Sequence, residues 1–348
     1  MDNSVAGKDE TNKKNSFGWK YVLILILAIA AVACLVFMPR HKQYFSIEGD
    51  VWTTSYHITF EAENEGTFTD SVRAVLNRID ASASAFNHES LLWQINSGAS
   101  DVADDVLLRL YSFARGVHEQ SGGAYDPTVM PLVNAWGFGY KTGDMPSKVQ
   151  IDSILEFVGL EKIRFQGKTI VKQDPRVQLD FSSIAKGMAC DEVGLMFRRN
   201  GVENYMVEIG GEVVAHGVNS RGEEWHVSVD MPVAGESHES VVLVTLKDCA
   251  IATSGNYRRF KEVEGKRVSH IVNPKTGESA ESSLLSATVV ATDCALADAW
   301  STACMAMGAE RTKAEMERRG DLGVMTIESD SLGRFVVWSN AAFARLVR

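Results

Sequence analysis

Four apolar residues, Val72, Val75, Leu76 and Ile79, fall at the i, i+3, i+4, i+7 spacing that lines one face of a helix. Val106, Leu110, Phe113 and Val117 repeat the pattern and predict a second helix. Elsewhere the period shortens. Val51 to Phe60 (VWTTSYHITF) reads as a strand, and Ile163 to Lys172 as a hairpin around Gln166-Gly167-Lys168. Val177 to Phe181 reads as a strand feeding a helix from about Ile184 to Arg199. Short strands follow at Tyr205–Ile209, Trp225–Asp230, Val241–Leu246 and Leu284–Ala291. Trp225, Val227 and Val229 alternate with polar neighbours, the mark of a half-buried antiparallel strand. A helix opens near Thr292 and runs past Met307, and strands at Gly323–Glu328 and Arg334–Trp338 close the chain. Helices grouped with antiparallel strands predict an α+β fold, antiparallel sheets with flanking helices, rather than alternating βαβ units. No linker or repeat divides residues 45–346, which are expected to form one folded unit.

Tyr21 to Met38 is an uncharged apolar run of 18 residues, long enough to span a bilayer. Lys8, Lys13, Lys14 and Lys20 precede it, and only Arg40 and Lys42 follow closely. The positive-inside rule then leaves residues 1–20 in the cytoplasm and the folded unit outside. A cleaved signal peptide is one alternative, and a lipid on Cys34 after Ala31-Val32-Ala33 is another. Apolar residues continue from Leu35 to Met38, which favours an uncleaved transmembrane anchor.

With 348 residues, 45% of them hydrophobic and 23% charged, the chain has ample material for a large core. Its net charge of −10, with no Lys/Arg run, argues against nucleic acid as a partner. The five cysteines (34, 190, 249, 294 and 304) form no CxxC and no zinc spacing, and buried free thiols are expected.

Several segments carry candidate chemistry. Gly123 to Gly139 (GAYDPTVMPLVNAWGFG) is dense in Gly, Pro and aromatics and holds one acid, Asp126. Such a run builds either a shaped pocket wall or a cap over the core. In Leu179-Asp180-Phe181-Ser182-Ser183-Ile184-Ala185-Lys186-Gly187 a polar turn opens a helix, which suits either an anion at the freed N–H groups or a plain serine cap. Glu208-Ile209-Gly210-Gly211-Glu212 suits either close ligand contact or a tight hairpin. Thr253 to Arg258 offers hydroxyls and a guanidinium for phosphate. His270 stands just before Asn273-Pro274-Lys275-Thr276-Gly277, as either a structural residue or a general base. Asp298 and Thr302 stand at i and i+4 on an apolar helix. They are either a hydrogen-bonded pair or a hard-oxygen set suited to Mg²⁺.

Taken in order, these segments resemble the FAD:protein FMN transferase family, flavin transferases formerly described as thiamine-biosynthesis lipoproteins. The likeness covers about residues 46–340 and rests on Ile79-Asp80 with Ser84 and Phe86, the Gly123–Gly139 run, LDFSSIAKGMACD, VEIGGEV, ATSGNYRRF, SHIVNPKTG and ATDCALADAWSTA. The resemblance implies an α+β fold with a tunnelling-fold-like core. It implies binding of FAD and Mg²⁺ and transfer of FMN to a Thr or Ser hydroxyl of a partner protein as a phosphoester. The partners implied are membrane redox subunits or exported flavoproteins, which sets the protein in a bacterial inner membrane with its catalytic domain on the periplasmic side. Carried onto this sequence, it implies a cation held by the Ala185 carbonyl, the Asp298 carboxylate and the Thr302 hydroxyl. FAD contacts would come from Trp52, Phe86, Gly123, Ala124, Tyr125, Asp126, Ser182, Met188 and Ile271, and His270 would be the base. Water in place of the acceptor would make the same site an FAD pyrophosphatase, and loss of turnover an exported FAD-binding protein. Trp52-Thr53 stands where Met-Gly is usual, Met188 where Tyr is frequent, and Asn273 where Asp is frequent before Pro274. None of these removes an implied cation ligand or the base.

Overall fold

Pairing along the chain is antiparallel between every two neighbouring strands, because each strand meets its neighbour through a hairpin or an antiparallel return. The computed structural model describes residues 19–30, 42–140, 145–232, 240–256, 260–263, 266–279 and 283–348. A helix, α1, occupies residues 19–30, with Leu23 to Leu27 exposed. Residues Gln43–Arg348 form a separate compact unit. It opens with β1 (Gln43–Val51), β2 (Thr54–Ala62), α2 (Phe68–Ala83), α3 (Leu91–Ser97), α4 (Asp105–Gln120), α5 (Met130–Ala135) and α6 (Lys148–Leu155). Then come β3 (Ile163–Gln166), β4 (Thr169–Lys172), α7 (Ala185–Arg199), β5 (Tyr205–Ile209), β6 (Glu212–His216), β7 (Trp225–Asp230), β8 (Ser240–Leu246) and β9 (Cys249–Gly255). The unit ends with β10 (Phe260–Val263), β11 (Lys266–Ser269), β12 (Leu284–Ala291), α8 (Cys294–Met307), α9 (Ala309–Met316), β13 (Gly323–Ser329), β14 (Phe335–Ser339) and α10 (Ala341–Ala344).

Among the described residues eight strands form the central sheet, in the order β1-β2-β5-β6-β9-β12-β13-β14. Strand alternation sends side chains to two cores. Val213, Ala215, Ile251, Val290, Met325 and Ile327 meet the β7–β8 hairpin and Phe343 on one face. Their neighbours Ala252, Val289, Ala291 and Val324 face the helices. On that side α7 packs on β5 and β6, and α8 on β9 and β12, with α2 against α7 and α4 against α8. Ten of the fourteen residues of α8 are buried, as expected for a helix enclosed between a sheet and other helices. Phe60 and Phe197 stack at 4.8 Å where β2 meets α7. A smaller cluster of Leu132, Trp136, Ile151, Val158, Val268 and Val272 joins α5 and α6 to β11.

The α+β class and the antiparallel sheet are as the sequence predicts, and several elements are corrected. Val51 to Phe60 is not one strand: the chain reverses at Trp52-Thr53, with Trp52 at φ +53°, and Val51 pairs with Thr54. Residues 177–181 join no ladder; only Gln178 makes a single bridge, to Val129. The second helix buries Leu107 and Ala114 with Leu110 and Val117, leaving Val106 and Phe113 at the border of its stripe. The helix near residue 292 begins at Cys294 and stops at Met307, where Gly308 takes φ +75°. Strands β6 and β9 go unmarked by the sequence patterns. Among the described residues no helix is long and apolar enough to cross a membrane. Residues 31–38 of the expected anchor, Cys34 among them, lie outside the described residues, as do Tyr257 and Arg258.

Candidate active site

Helices α7 and α8 meet at their N-terminal ends through two reciprocal contacts. Gly187 donates its backbone N–H to Asp298 Oδ2 at 3.1 Å. In return the Asp191 carboxylate accepts the N–H groups of Cys294 and Ala295, each at 2.9 Å, and so caps α8 from across the interface. Asp293, in the N-cap position itself, makes no side-chain cap bond. Burial pushes the Asp191 carboxyl up to about 7, against the pull of the two N–H groups.

This junction sets Asp298 beside the first turn of α7. Asp298 is only 2% exposed, and among the described residues its Oδ1 accepts no hydrogen bond. Ala185 opens α7 two residues before Gly187. Thr302, one turn along α8 from Asp298, shares a hydrogen bond with Ser254 Oγ at 3.1 Å, and Ser254 also meets Ser301 at 2.7 Å. The three expected cation ligands therefore sit at one junction. Among the described residues no group of three His, Cys, Asp or Glu side chains could hold a metal. One carboxylate, one hydroxyl and one carbonyl are a set of a different kind, hard oxygens that fit a cation which keeps its own waters.

Two charged residues that the sequence patterns do not single out complete the junction. Lys186 Nζ lies 2.9 Å from Glu212 Oε1 and 3.6 Å from Asp298 Oδ2. Burial works against the Lys186 ammonium, but Asp298 and Glu212 outweigh it and hold its pKa above the ordinary lysine value. Glu212 is 3% exposed; burial pushes its carboxyl up, and the Lys186 ammonium 2.9 Å away pulls it back toward the ionised form. Glu212 reaches the junction through the Gly210-Gly211 turn, a tight hairpin with both glycines at positive φ.

The Gly123–Gly139 run forms a wall tied to its neighbours. Tyr125 is buried, and its phenol oxygen accepts from Ser183 Oγ at 3.2 Å, which joins the wall to the turn before α7. Burial raises the Tyr125 phenol well above its usual range, so it stays neutral. Gly123, at φ +78°, has Lys275 Cε where a β-carbon would come within 3.3 Å. Trp136 Nε1 donates to the Gly277 carbonyl at 2.8 Å. The wall thus adjoins the Asn273–Gly277 turn, whose shape is set by Asn273 Oδ1 accepting the Lys275 N–H. His270 stands just before that turn with a half-buried ring, edge-on to Phe138 at 6.3 Å. Ser279 Oγ fixes the backbone beside it, accepting from Ser269 N and donating to Ser269 O.

Other expected FAD contacts are placed less simply. Asp126 turns its oxygens inward, to Thr128 N and Oγ1 and to Leu160 N, so its carboxylate holds the wall in shape. Met188 is 1% exposed and Ile271 is buried, and both lie in the apolar core with Tyr125 and Ile184. Ala124 is buried in the wall, while Ser182 is exposed and its N–H is held by Asp180 Oδ1 at 2.8 Å. Ile184 is the N-cap of α7 and makes no side-chain bond, so a serine cap is not what opens this helix. Trp52 and Phe86 are 39% and 51% exposed and present open ring faces. The buried thiols Cys190, Cys294 and Cys304 and the half-buried Cys249 are free.

The model of the ApbE family matches residues 52–326. The chain belongs to the ApbE family. An FAD:protein FMN transferase of Haemophilus influenzae is 31% identical over 92% of this chain and 96% of its own length. One of Vibrio cholerae is 30% identical over 88% of this chain and 94% of its own. Among solved structures, the flavin transferase ApbE from Vibrio cholerae superposes with a TM-score of 0.79 at 30% identity, covering 88% of this chain and 100% of that one. The apo form of the Pseudomonas stutzeri flavinyl transferase ApbE gives 0.79 at 29% identity, covering 88% of this chain and 97% of that one. In this ApbE-family chain the family match spans the wall, the α7 turn and the α8 junction.

Proposed function

We propose that this ApbE-family chain is an FAD:protein FMN transferase that moves FMN from FAD to a Thr or Ser hydroxyl of an acceptor protein. The reading is carried by the α7–α8 junction, where Asp298 is buried yet among the described residues keeps one carboxylate oxygen without a hydrogen bond, beside Lys186. A buried carboxylate is costly unless its charge is compensated, and here the Gly187 N–H and the Lys186 ammonium meet only one of its two oxygens. Asp298, Thr302 and the Ala185 carbonyl would hold Mg²⁺, which when bound supplies positive charge against the diphosphate.

The chain's own residues would position and neutralise. The N-terminal end of α7 would turn the positive end of its dipole toward the phosphates, while the Ala185, Gly187 and Met188 N–H groups are bonded within the protein. Tyr125, neutral and buried, braces the wall against Ser183. The acceptor oxygen attacks the FMN phosphorus, the P–O bond to AMP breaks, and AMP leaves with the bridging oxygen. His270 takes the hydroxyl proton. Charge balance and alignment supply the acceleration, as in other phosphoryl transfers. Residues 21–38 are proposed to anchor the protein in a bacterial inner membrane, with the catalytic unit on the periplasmic side among exported or membrane-bound acceptors.

Incubation with FAD, Mg²⁺ and a threonine-bearing acceptor domain tests the reading. Flavin fluorescence that stays on the denatured acceptor supports transfer. Free FMN and AMP with a dark acceptor would make the site an FAD pyrophosphatase, and intact FAD would make it a binding protein.

A further inference from the structure

A lysine in the first turn of a helix faces the positive end of the dipole, where a cation is disfavoured. Lys186 stands there because two buried carboxylates flank it, and it does not treat them alike. Its 2.9 Å separation from Glu212 Oε1 is a charged hydrogen bond, whereas 3.6 Å from Asp298 Oδ2 is beyond hydrogen-bond range. Glu212 has no other evident task. Its second oxygen, Oε2, is buried with no hydrogen-bond partner among the described residues. The Gly210-Gly211 hairpin before it passes against the lysine stem: a β-carbon on Gly210 would meet Thr54 at 3.0 Å and reach contact with Lys186 Cδ at 3.4 Å.

We propose that Glu212 is a positioning residue that draws the Lys186 ammonium off Asp298 and so keeps the Asp298 carboxylate open to a divalent cation. Without Glu212 the ammonium has one buried carboxylate left to pair with, and it closes on Asp298. The cation would then have to displace a buried charged hydrogen bond before it could bind. The inference rests on the cation-assisted reading of the site given above.

The test is a titration of Mn²⁺ into the full-length protein at saturating FAD without acceptor, with free Mn²⁺ read by electron paramagnetic resonance. Glu212→Gln keeps the shape and loses the charge, and it is expected to bind Mn²⁺ roughly ten- to a hundredfold more weakly, the scale of one charged hydrogen bond. Glu212→Asp keeps the charge but falls short of Lys186, and it should weaken binding too. The double variant Glu212→Gln/Lys186→Met removes the competitor and should restore wild-type affinity, which a misfolded site would not do. Wild-type affinity in Glu212→Gln or in Glu212→Asp, or no recovery in the double variant, would overturn the positioning role and leave the transferase reading intact. If the wild-type protein itself takes up no Mn²⁺, this inference and the cation-assisted reading fall together.

Discussion

The α-carbon of Gly187 lies so close to Cys294 that a β-carbon built on it would sit 2.4 Å from the Cys294 carbonyl oxygen. The three nearest atoms, Cys294 O, Cys294 C and Ala295 N, are all backbone, so none can swing away. The same glycine donates its N–H to Asp298. Any side chain at 187 must therefore part α7 from α8 just where the site is assembled. Gly187→Ala is expected to cost about 1–3 kcal/mol, the range for overpacking a tight core, and to impair turnover out of proportion to that loss. Chemical denaturation alongside a transfer assay checks this. A variant as stable and active as wild type would show that the helices can separate freely.

Asp191 gives the junction a pH dependence. An acid with a higher pKa folded than unfolded holds an extra proton in the folded state between the two values, so stability falls as pH rises across that window. For Asp191 the window runs from the ordinary carboxylate value near 4 to about 7. Burial acts on Glu212 in the same direction, so the informative quantity is the difference between wild type and Asp191→Asn. The variant should be less stable throughout, since the two N–H groups bond to different oxygens and asparagine puts an NH2 donor in place of one of them. It should also lose stability less steeply between pH 5 and pH 7. Denaturation midpoints with parallel slopes would place the titration elsewhere.

Phe197 stacks on Phe60 at 4.8 Å and approaches Phe68 at 5.4 Å and Tyr205 at 5.5 Å, in a cluster that includes none of the proposed substrate contacts. Phe197→Ala should cost about 3–5 kcal/mol through the cavity it leaves. Urea unfolding measures it, and a loss below about 1 kcal/mol would mean that this corner collapses to fill the space.

What the sequence made legible follows from which interactions are local. Val72, Val75, Leu76 and Ile79 share one buried face because helix period alone decides it. Trp225 to Asp230 alternates because one side of a hairpin meets the sheet. The Trp52 turn was hidden because neither Trp nor Thr is a turn-forming residue, and the positive φ at Trp52 is imposed by the pairing of β1 with β2. Strand β6 is hidden by the Gly210-Gly211 turn before it, which marks a hairpin and a ligand contact equally well. At the site, Asp298, Thr302 and the α7 turn could be picked out as motifs. The Asp191 cap spans 103 residues to Cys294, and no spacing rule carries that far. Lys186 and Glu212 stood inside noticed segments without being noticed themselves. The one available signal was an acid directly after a Gly-Gly turn in an otherwise apolar strand.

His270 is held edge-on to Phe138 beside the turn that meets the pocket wall. If it takes the acceptor proton, His270→Ala should slow single-turnover transfer by about 10²–10⁴-fold. FAD affinity, read by flavin fluorescence, should stay within error of wild type. Unchanged transfer would remove His270 from the reaction, and lost FAD binding would make it a substrate contact instead.

The most direct measurement is the intact mass of an acceptor domain after incubation with the enzyme, FAD and Mg²⁺, run beside the Asp298→Asn enzyme and an acceptor whose target threonine is replaced by alanine. The account predicts one FMN phosphoester on the wild-type acceptor, one AMP released for each, and neither in the two controls. An unmodified acceptor with the wild-type enzyme, or full modification by the Asp298→Asn enzyme, would contradict it.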